Sequence, residues 1–570
     1  MTELTTYTFE PTVNPSREFL EIASDFSNPL DIVREAISNS FDAKAKNIYL
    51  LFEIATIKGR KRLKITIRDD GEGMNEESIK SFFDLGNSSR RDVKETDTSL
   101  IGEKGHGTKI YFNSDYVNVI TGQNGVEYTA LMVDPLSSLY DNKLPSIEVS
   151  VQNKDFLGTY IEIIGYNNDE RSVFTHERIK DHIYWFTKFG SFENIFDEDC
   201  PYKDIKIHLK GLDKSNNEVE TLIFGHIFPD ESESLNKLLE KHLSDAPDYF
   251  VKKLTYEGTL DKYPDIEYQA VFYIEGNKAK QKYNPMIRRS GYKAPDGAYK
   301  VQDRYGIWLS KDFIPVQRKN DWITKKGSEY TKFHAFFNCQ DLKLTANRGS
   351  LDNTSSEILE AIQNKIVEIY NGIIESSYWE DLEYLEQSSQ AFQSEKKEEK
   401  NYEMRKKYIL QNKVAVLDNQ ILREPRQEHG VFALYHTIDI IKPDFFPFEI
   451  VDYDTHAGID VLAHLREGSV SLEKDALYFV EFKHILKNSF NHSFKRLYGI
   501  VCFKTELKNN DIVVDAFGTS RTFRCYPKDD KTSFTQYFLE ADRSSHKIEV
   551  IVLEEYLYDR LNIKFTKHKL

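Results

Sequence analysis

The segment SNPLDIVREAISNSFDAKAKN carries polar residues at helical spacing that could act on a nucleoside triphosphate. Asn28 and Pro29 predict the start of a helix, as N-cap and first helical residue. Glu35, Asn39 and Asp42 are spaced i, i+4 and i+7, so they share one face, while apolar residues follow the other. A glutamate there can deprotonate an attacking water, and an asparagine oxygen is a hard Mg²⁺ ligand. Taken alone, the pattern is better explained by an amphipathic helix with an ordinary polar face.

A second segment places a carboxylate and two glycines at the end of a predicted strand. The strand RLKITIRD runs directly into Asp69, Asp70, Gly71, Glu72 and Gly73. A carboxylate at a strand end, followed by glycines that let a ring approach the backbone, suits recognition of an adenine amino group. A tight turn of the Asp-Gly kind is the alternative.

A third segment, GEKGHGTK at residues 102–109, is rich in glycine and opens a short helical pattern, KIYF. Glycines at the start of a helix allow backbone amides to hold phosphate oxygens. The segment is not a P-loop, because it ends in Gly-Thr-Lys where that motif needs Gly-Lys-Thr or Gly-Lys-Ser.

In this order, the three segments resemble the GHKL ATPases, which include DNA gyrase, the ninety-kilodalton heat-shock chaperone, histidine kinases and MutL. The helix is most similar to that of MutL and MORC proteins. The resemblance implies bound ATP and Mg²⁺, with Glu35 as the catalytic general base and Asn39 as the magnesium ligand. Histidine kinases lack this glutamate, so its presence favours hydrolysis over phosphotransfer. The nucleotide-binding residues implied are Asn39, Asp42, Asp69, Gly71, Gly73, Met74, Gly102, Lys104, Gly105, His106, Gly107, Thr108 and Thr159, with residues 87–101 as the ATP lid.

In this family a second α/β domain, the transducer, usually supplies a basic residue to the γ-phosphate. Lys343 and Arg348, in CQDLKLTANRGSLD, are the two candidates. The sequence does not choose between them, and surface charges on a turn explain each equally well.

A second constellation lies near the C-terminus. Asp460 falls in a strand pattern, and Glu481 and Lys483 lie two apart on a later strand, hence on one face. Two carboxylates could hold Mg²⁺ or Mn²⁺, and the lysine could stabilise a pentavalent phosphate. The alternative is that Glu481 and Lys483 simply face solvent, since Glu-x-Lys is common.

The spacing Asp460…Glu481-x-Lys483 resembles the PD-(D/E)xK nucleases, although no proline precedes Asp460. The resemblance implies a preceding helix that adds Glu428 as a further metal ligand, and a following helix over residues 488–503. It also implies DNA as the partner. Basic residues that could face phosphates are Lys487, Lys495, Arg496, Lys504 and Lys508.

These segments predict an α/β multidomain chain. We expect a Bergerat-type α/β sandwich ATPase domain at 1–195, a transducer-like α/β domain at 196–375, a charged helical connector at 376–410 and a restriction-endonuclease-like α/β domain at 411–570. The 570 residues suffice for several domains.

Composition limits the binding partners and the cellular compartment that we expect. The net charge of −16 excludes nucleic-acid or membrane attraction by the whole chain, but not a local basic surface. Four widely separated cysteines fit a reducing compartment. There is no apolar run of the ~18–20 residues that a membrane helix needs and no signal-peptide pattern at the N-terminus, so we expect a cytoplasmic protein.

The function expected from the sequence is an ATP-regulated DNA endonuclease. ATP would close a homodimer through its N-terminal domains and couple this closure to metal-dependent cleavage. The biological setting, by analogy, is prokaryotic anti-phage or restriction-like defence, in which a partner protein of the same system could take part. Two rivals remain: a MORC-like ATP-gated DNA clamp with an inactive nuclease fold, and a regulatory ATPase that binds another protein.

Overall fold

The computed structural model describes residues 7–26, 28–85, 107–215, 217–345, 350–454, 461–466, 477–541 and 546–567. The chain divides into two compact units, Met1–Ser394 and Glu395–Leu570. Among the described residues, none of the helices combines the length and apolar character that a bilayer crossing requires. The chain is thus a mixed α/β, multidomain protein, as predicted.

The first half of unit 1 is built on an eight-stranded sheet in the order β5-β4-β3-β6-β2-β1-β7-β8. Its strands are β1 (Asn47–Ile57), β2 (Arg60–Asp69), β3 (Tyr116–Gln123), β4 (Val126–Val133), β5 (Ile147–Gln152), β6 (Gly158–Ile164), β7 (Lys206–Lys210) and β8 (Glu220–Ile223). Its helices are α1 (Pro15–Ser24), α2 (Asp31–Asp42), α3 (Glu76–Phe83), α4 (Pro135–Tyr140) and α5 (His176–Phe186), with a 3-10 helix at Gly107–Phe112. Because β7 pairs with β1 in parallel, this sheet extends to Ile223, beyond the boundary expected at residue 195.

The second half of unit 1 holds a five-stranded sheet in the order β12-β11-β13-β10-β9. The strands are β9 (Val251–Leu260), β10 (Tyr263–Glu275), β11 (Gly306–Lys311), β12 (Ile314–Arg318) and β13 (Phe333–Cys339). The helices are α6 (Leu235–His242), α7 (Asn277–Tyr283), α8 (Ser356–Ile374) and α9 (Ser377–Gln411). The charged segment forms α9, in which Trp379, Leu382 and Leu385 are buried and residues 393–411 are exposed.

Burial explains how α2 is oriented. Val33, Ile37 and Phe41 lie in the core, as their spacing predicted, packed with the inward residues of β1. The polar face of α2 is therefore turned away from the sheet core. The helix begins later than expected, at Asp31; Asn28 Oδ1 accepts a hydrogen bond from Leu30 N at 3.1 Å, which forms a turn before the first helical residue.

Unit 2 contains a three-stranded sheet, β15-β14-β24, and an eight-stranded sheet, β16-β17-β18-β19-β23-β22-β21-β20. The strands are β14 (Lys413–Leu417), β15 (Gln420–Arg423), β16 (Phe448–Tyr453), β17 (Val461–Leu465), β18 (Tyr478–Leu486), β19 (Leu497–Thr505), β20 (Ile512–Val514), β21 (Ser520–Tyr526), β22 (Gln536–Glu540), β23 (Ile548–Val552) and β24 (Thr566–Lys567). The helices are α10 (Glu428–Ile441) and α11 (Leu553–Leu561).

The helix expected over residues 488–503 does not form. A 3-10 turn at Phe494–Arg496 leads instead into β19, which lies between the parallel strands β18 and β23. The residues from Ile500 to Phe503 are all buried. A central parallel strand is covered on both faces and reads as a continuous apolar run, which sequence periodicity cannot distinguish from a buried helix.

Candidate functional site

The candidate nucleotide site begins on the polar face of α2. Glu35, Asn39 and Asp42 are half-buried there. Gly107, the first residue of the 3-10 helix, comes so close to Glu35 that a Cβ built on it would lie 3.0 Å from Glu35 Cδ and overlap the carboxylate. The structure therefore brings the predicted general base to the end of the predicted phosphate loop.

Asp69 ends β2 beside this helix and is 7% exposed. Its Oδ1 accepts a hydrogen bond from Gly71 N at 2.9 Å, and its Oδ2 accepts one from Ser40 Oγ at 3.3 Å. Burial raises the pKa of Asp69 to about 6, although these hydrogen bonds oppose the shift. The carboxylate is fixed in place, and it can accept a hydrogen bond from an amino group.

Three strands converge at the glycines that follow Asp69. A Cβ on Gly73, whose φ is +71°, would overlap the backbone carbonyl of Gly122, so this position needs glycine. Met74 N donates to Thr121 Oγ1 at 2.9 Å, and Thr121 Oγ1 lies 3.1 Å from Thr159 Oγ1. Thr159 is thereby placed directly beside Asp69 in the register of β2 and β6. The sequence analysis missed Thr121, which links the two predicted segments.

A Cβ on Gly71 would meet the Ala43 carbonyl at 2.6 Å, so this position too has room only for a hydrogen. Both glycines thus form a wall of bare backbone next to the Asp69 carboxylate. Such a wall lets a flat ring approach closely, as the sequence suggested.

The phosphate loop is described only from Gly107 onward. Gly102, Lys104, Gly105, His106 and the expected lid at 87–101 lie outside the described residues. Thr108 Oγ1 donates to Phe82 O at 2.7 Å, so its hydroxyl caps the last turn of α3.

Lys109, which the sequence analysis did not single out, is fully buried next to Thr108. Its Nζ donates to Phe82 O at 3.0 Å and to Thr108 Oγ1 at 2.9 Å. Burial lowers the pKa of Lys109 to about 8. This buried cation fixes the start of the 3-10 helix against the end of α3.

Two buried polar atoms at this site have no hydrogen-bond partner within the described part of the chain. They are Asn39 Nδ2 and Tyr111 Oη. An asparagine amide offers an oxygen to a metal and two N–H donors to other acceptors. The glycine-lined wall, the anchored Asp69 carboxylate and the half-buried Asn39, whose amide oxygen is a hard metal ligand, fit a Mg²⁺-bound adenine nucleotide.

The two basic residues proposed for the second half of unit 1 are not both placed. Arg348 lies outside the described residues. The Lys343 side chain is exposed, and its backbone N–H donates to Thr354 Oγ1 at 2.8 Å. A different lysine, Lys311 at the end of β11, lines a cavity together with Arg34 of α2, and its Nζ donates to Leu342 O at 2.7 Å.

Unit 2 brings together three of the four residues predicted for its C-terminal site. Glu481, on β18, is fully buried, and Lys483 Nζ lies 2.7 Å from Glu481 Oε1 and 3.2 Å from Glu428 Oε1. Glu428 is the first residue of α10. His492, which the sequence analysis missed, places its Nε2 3.1 Å from Glu481 Oε1. We refer to Glu428, Glu481, Lys483 and His492 as the carboxylate–lysine cluster.

The electrostatics of the cluster depend on the buried carboxylate. Burial works against a charged Lys483, but the hydrogen bond and charge of Glu481, with Glu428, outweigh it and raise the pKa of Lys483. Asp460 lies outside the described residues; the strand after it, β17, pairs Val461 with Val480. Within the described residues there is no group of three or more His, Cys, Asp or Glu side chains arranged to hold a metal ion.

Comparison with known protein families identifies the first of these sites. Residues 28–150 match the family model described as "Histidine kinase-, DNA gyrase B-, and HSP90-like ATPase". This segment contains α2, the Asp69 strand end and the Gly107 loop, so residues 28–150 are similar to a GHKL-type ATPase domain.

Individual relatives agree with this assignment. The DNA mismatch repair protein MutL of Aquifex pyrophilus is 45% identical over 69 residues, which is 12% of this chain and 15% of that protein. The chaperone protein HtpG of Rickettsia akari (strain Hartford) is 24% identical over 374 residues, 61% of this chain and 53% of that protein. HtpG of Sulfurimonas denitrificans is 25% identical over 386 residues, 61% of this chain and 55% of that protein. The chain thus spans about half the length of the chaperones that it matches.

Proposed function

We propose that this protein is an ATP-hydrolysing enzyme whose nucleotide state controls metal-dependent cleavage of DNA by unit 2. The observation that carries the ATPase part is the approach of Gly107 to Glu35 beside the anchored Asp69 carboxylate. The observation that supports the nuclease part is the fully buried Glu481, held by Lys483 next to Glu428.

In the nucleotide site each residue has a separate task. Asp69 accepts a hydrogen bond from the adenine amino group, and Gly71 and Gly73 let the ring approach the backbone. Asn39 offers its amide oxygen to Mg²⁺, which neutralises the triphosphate charge when it is bound. Glu35 accepts a proton from the water that attacks the γ-phosphate.

In unit 2, Glu481 and Glu428 supply carboxylate oxygens of the kind that Mg²⁺ and Mn²⁺ prefer, with Asp460 as the further ligand. Lys483 places a positive charge where a phosphodiester gains negative charge in the transition state. Lys495 and Arg496 are exposed beside the β18–β19 connection, where they can contact the DNA backbone.

The ATPase part is tested with two variants of α2. Glu35→Ala should abolish turnover while ATP still binds, because this carboxylate acts on water. Asn39→Ala should instead weaken Mg²⁺–ATP binding. Equal loss of nucleotide affinity in both variants would contradict the separate roles.

The nuclease part is tested by incubating the whole chain with supercoiled plasmid and Mg²⁺ or Mn²⁺, with and without ATP. Wild type should nick the plasmid, and Lys483→Ala and Asp460→Ala should not. The matched control is Asp439→Asn. It breaks the ion pair between Asp439 of α10 and Arg466 (2.7 Å), neither of which belongs to the carboxylate–lysine cluster, so it should retain cleavage. Wild-type nicking in both Lys483→Ala and Asp460→Ala would refute the assignment.

We further propose that ATP brings two copies together through their N-terminal domains, and that the setting is prokaryotic anti-phage defence with DNA as the substrate. Crosslinking through residues 7–26 with and without a non-hydrolysable ATP analogue tests the first point. No nucleotide dependence of this crosslink would remove the closure step from the proposal.

A second candidate is an ATP-gated DNA clamp that does not cut. It is favoured by the contacts of Glu481, whose Oε1 is engaged by both Lys483 and His492. The plasmid assay separates the candidates, because a clamp retains DNA in an ATP-dependent manner and leaves it uncut under every metal tested.

A further inference from the structure

A buried polar cluster joins the two sheets of unit 1, away from the nucleotide site. It consists of His226, three residues after β8 of the first sheet, and of His334 on β13 and Glu275 at the end of β10 in the second sheet. Glu275 and His334 are each 1% exposed. His226 Nε2 lies 2.9 Å from His334 Nε2, and His334 Nδ1 lies 2.8 Å from Glu275 Oε1.

The hydrogen bonds at the outer ends of this cluster fix which ring nitrogens carry protons. His226 Nδ1 is 2.7 Å from the carbonyl oxygen of Tyr184, which can only accept, so Nδ1 must donate. Glu275 Oε2 already accepts from the Tyr283 hydroxyl at 2.8 Å. The Tyr283 hydroxyl also lies 3.1 Å from His334 Nδ1, but its one proton goes to Glu275 Oε2 at the shorter distance. His334 Nδ1 is therefore left to donate to Glu275 Oε1 at 2.8 Å.

With only these protons, both imidazoles would be neutral, and their Nε2 lone pairs would face each other at 2.9 Å. Two acceptors at hydrogen-bond distance repel each other, and buried polar groups are normally paired. One further proton between the rings removes the conflict. It also makes one imidazole cationic beside Glu275, so the pair carries no net charge.

We propose that Glu275, His334 and His226 form a proton-binding site in which His334 is protonated on both ring nitrogens. Its Nδ1–H donates to Glu275, and its Nε2–H donates to the neutral His226. The proton connects the two halves of unit 1, because His226 follows β8 of the first sheet and His334 lies on β13 of the second.

The surroundings agree with this placement of the proton. Burial, with the charge of His334 as a smaller cause, lowers the pKa of His226 well below its usual value, so His226 is the neutral partner. Trp185 of α5 stacks on the His334 ring at 4.9 Å, which suits a cation.

The other titratable groups packed around the cluster leave His334 as the proton carrier. Lys280 donates to the Glu275 carbonyl oxygen, and burial lowers its pKa to about 8. Tyr305 contacts Tyr283 through their hydroxyls at 3.1 Å. The charge of Arg304 also lowers the pKa of His226, but this guanidinium is paired with Asp181 at 2.7 Å. None of these contacts supplies a donor to the gap between the two Nε2 atoms.

The distance between His226 Nε2 and His334 Nε2 also distinguishes a shared proton from a bound metal ion. Two imidazole nitrogens bound to one tetrahedral zinc at ~2.0–2.1 Å lie ~3.3 Å apart. The observed 2.9 Å is the length of an N–H···N hydrogen bond.

Loss of this proton at alkaline pH should weaken the contact between the two sheets. A proton held by the folded protein, and not by an unfolded histidine above pH ~6.5, makes stability fall as pH rises. Taken alone, this proton should increase the unfolding equilibrium constant up to ~10-fold for each pH unit above ~6.5 over which the folded protein still holds it. Lys280, whose pKa burial lowers to about 8, changes stability in the opposite direction above that pH, so the pH dependence of the variants is compared with that of wild type.

The test is denaturant unfolding of the full chain between pH 6.5 and 9.5, followed by tryptophan fluorescence. The four tryptophans, Trp185, Trp308, Trp322 and Trp379, all lie in unit 1, so the signal reports on that unit alone. Glu275→Gln and His334→Gln should flatten the pH dependence relative to wild type. Glu127→Gln is the matched control: it breaks the ion pair between Glu127 on β4 and Lys154 (2.7 Å), which is not part of the cluster, so it should lower stability but keep the wild-type pH dependence.

Wild-type pH dependence in both Gln variants would overturn the proposal. So would stabilisation of wild type, but not of His334→Gln, by Zn²⁺ alone, since that result indicates a metal site. If the Gln variants do not fold, ¹⁵N-histidine NMR of wild type decides: one doubly protonated imidazole at pH 7.5 supports the site, and none refutes it.

Discussion

Replacing Gly107 by alanine tests the nucleotide site without touching a predicted catalytic side chain. The new methyl would lie 3.0 Å from Glu35 Cδ and closer to the carboxylate oxygens. Non-bonded carbon atoms prefer separations of ~3.5–4.0 Å, and Glu35 Oε2 is nearer to the methyl than Cδ is, so the Glu35 carboxylate must withdraw by about 1 Å or more. The backbone at Gly107 has no positive φ and accepts alanine, and the Glu35 side chain can rotate, so the fold should persist.

The expected effect is on turnover. A catalytic group misplaced by ~1 Å costs about 10²-fold in rate, so kcat for ATP hydrolysis should fall by about that factor. The KM for ATP should change little, because Asp69 and the glycine wall bind the base. Steady-state phosphate release measures kcat, and a fluorescent ATP analogue measures binding.

A double-mutant cycle decides whether the effect passes through Glu35. Once Glu35→Ala has removed the carboxylate, the methyl has nothing to displace, so Gly107→Ala should cause no further loss. Gly372→Ala, in α8 with nothing within 4 Å of the added methyl, is the control for a harmless Gly-to-Ala change. Losses that multiply across the two sites, or a loss confined to KM, would refute the reasoning.

The remaining predictions concern charge. Burial raises the pKa of Asp69 to about 6, so ATP binding should weaken as pH falls through about 6. Without nucleotide, the folded protein is more stable when Asp69 is protonated, and this extra stability is lost as pH rises from about 4 to about 6. Asp69→Asn should therefore stabilise the empty protein at pH 8 by up to roughly 3 kcal/mol in denaturant unfolding. Lys483→Met should destabilise unit 2 by up to about 3–5 kcal/mol in circular-dichroism melts, because it removes the lysine that lies 2.7 Å from the buried Glu481 carboxylate and leaves the weaker His492 contact at 3.1 Å. Adding Glu481→Gln should recover much of this loss. Replacing Lys495 and Arg496 by alanine should reduce the salt dependence of DNA binding, measured by fluorescence anisotropy, by a slope of about 2.

The elements of the ATPase domain could be predicted because their signals are local. Alternating burial along β1 and the three-four spacing of apolar residues in α2 are properties of single segments. The order of the three motif segments predicted a nucleotide site, and the structure places Glu35, Asp69 and Thr159 on adjoining elements. The sequence predicted the extent of the first sheet less well, because the parallel pairing of β7 with β1 joins residues about 160 positions apart, such as Asn47 and Lys206.

The partners of the site residues could not be predicted, because each comes from a distant part of the chain. Thr121, Lys109 and Tyr111 are ordinary residues in apolar or mixed segments, and only the fold shows that they meet Met74, Phe82 and the neighbourhood of Asn39. The sequence analysis missed His492 for a related reason. The segment that carries it was expected to be a helix, and it is instead the turn that leads into β19.

The two faces of α2 explain how events at the nucleotide could affect the rest of unit 1. One face carries Glu35 and Asn39. The neighbouring face carries Arg34, which forms an ion pair with Asp31 at 3.2 Å; Arg34 and Asp31 line the cavity that Lys311 also lines from the second sheet. A helix of 12 residues packed on one sheet moves as a body, so a shift that brings Glu35 toward a γ-phosphate also moves Arg34 relative to Lys311. Arg34 Nε lies 3.5 Å from Glu35 Oε1, so the two faces are also joined directly by charge. We therefore expect the contact between the two sheets to respond to the position of Glu35, the proposed general base, without a separate relay between them.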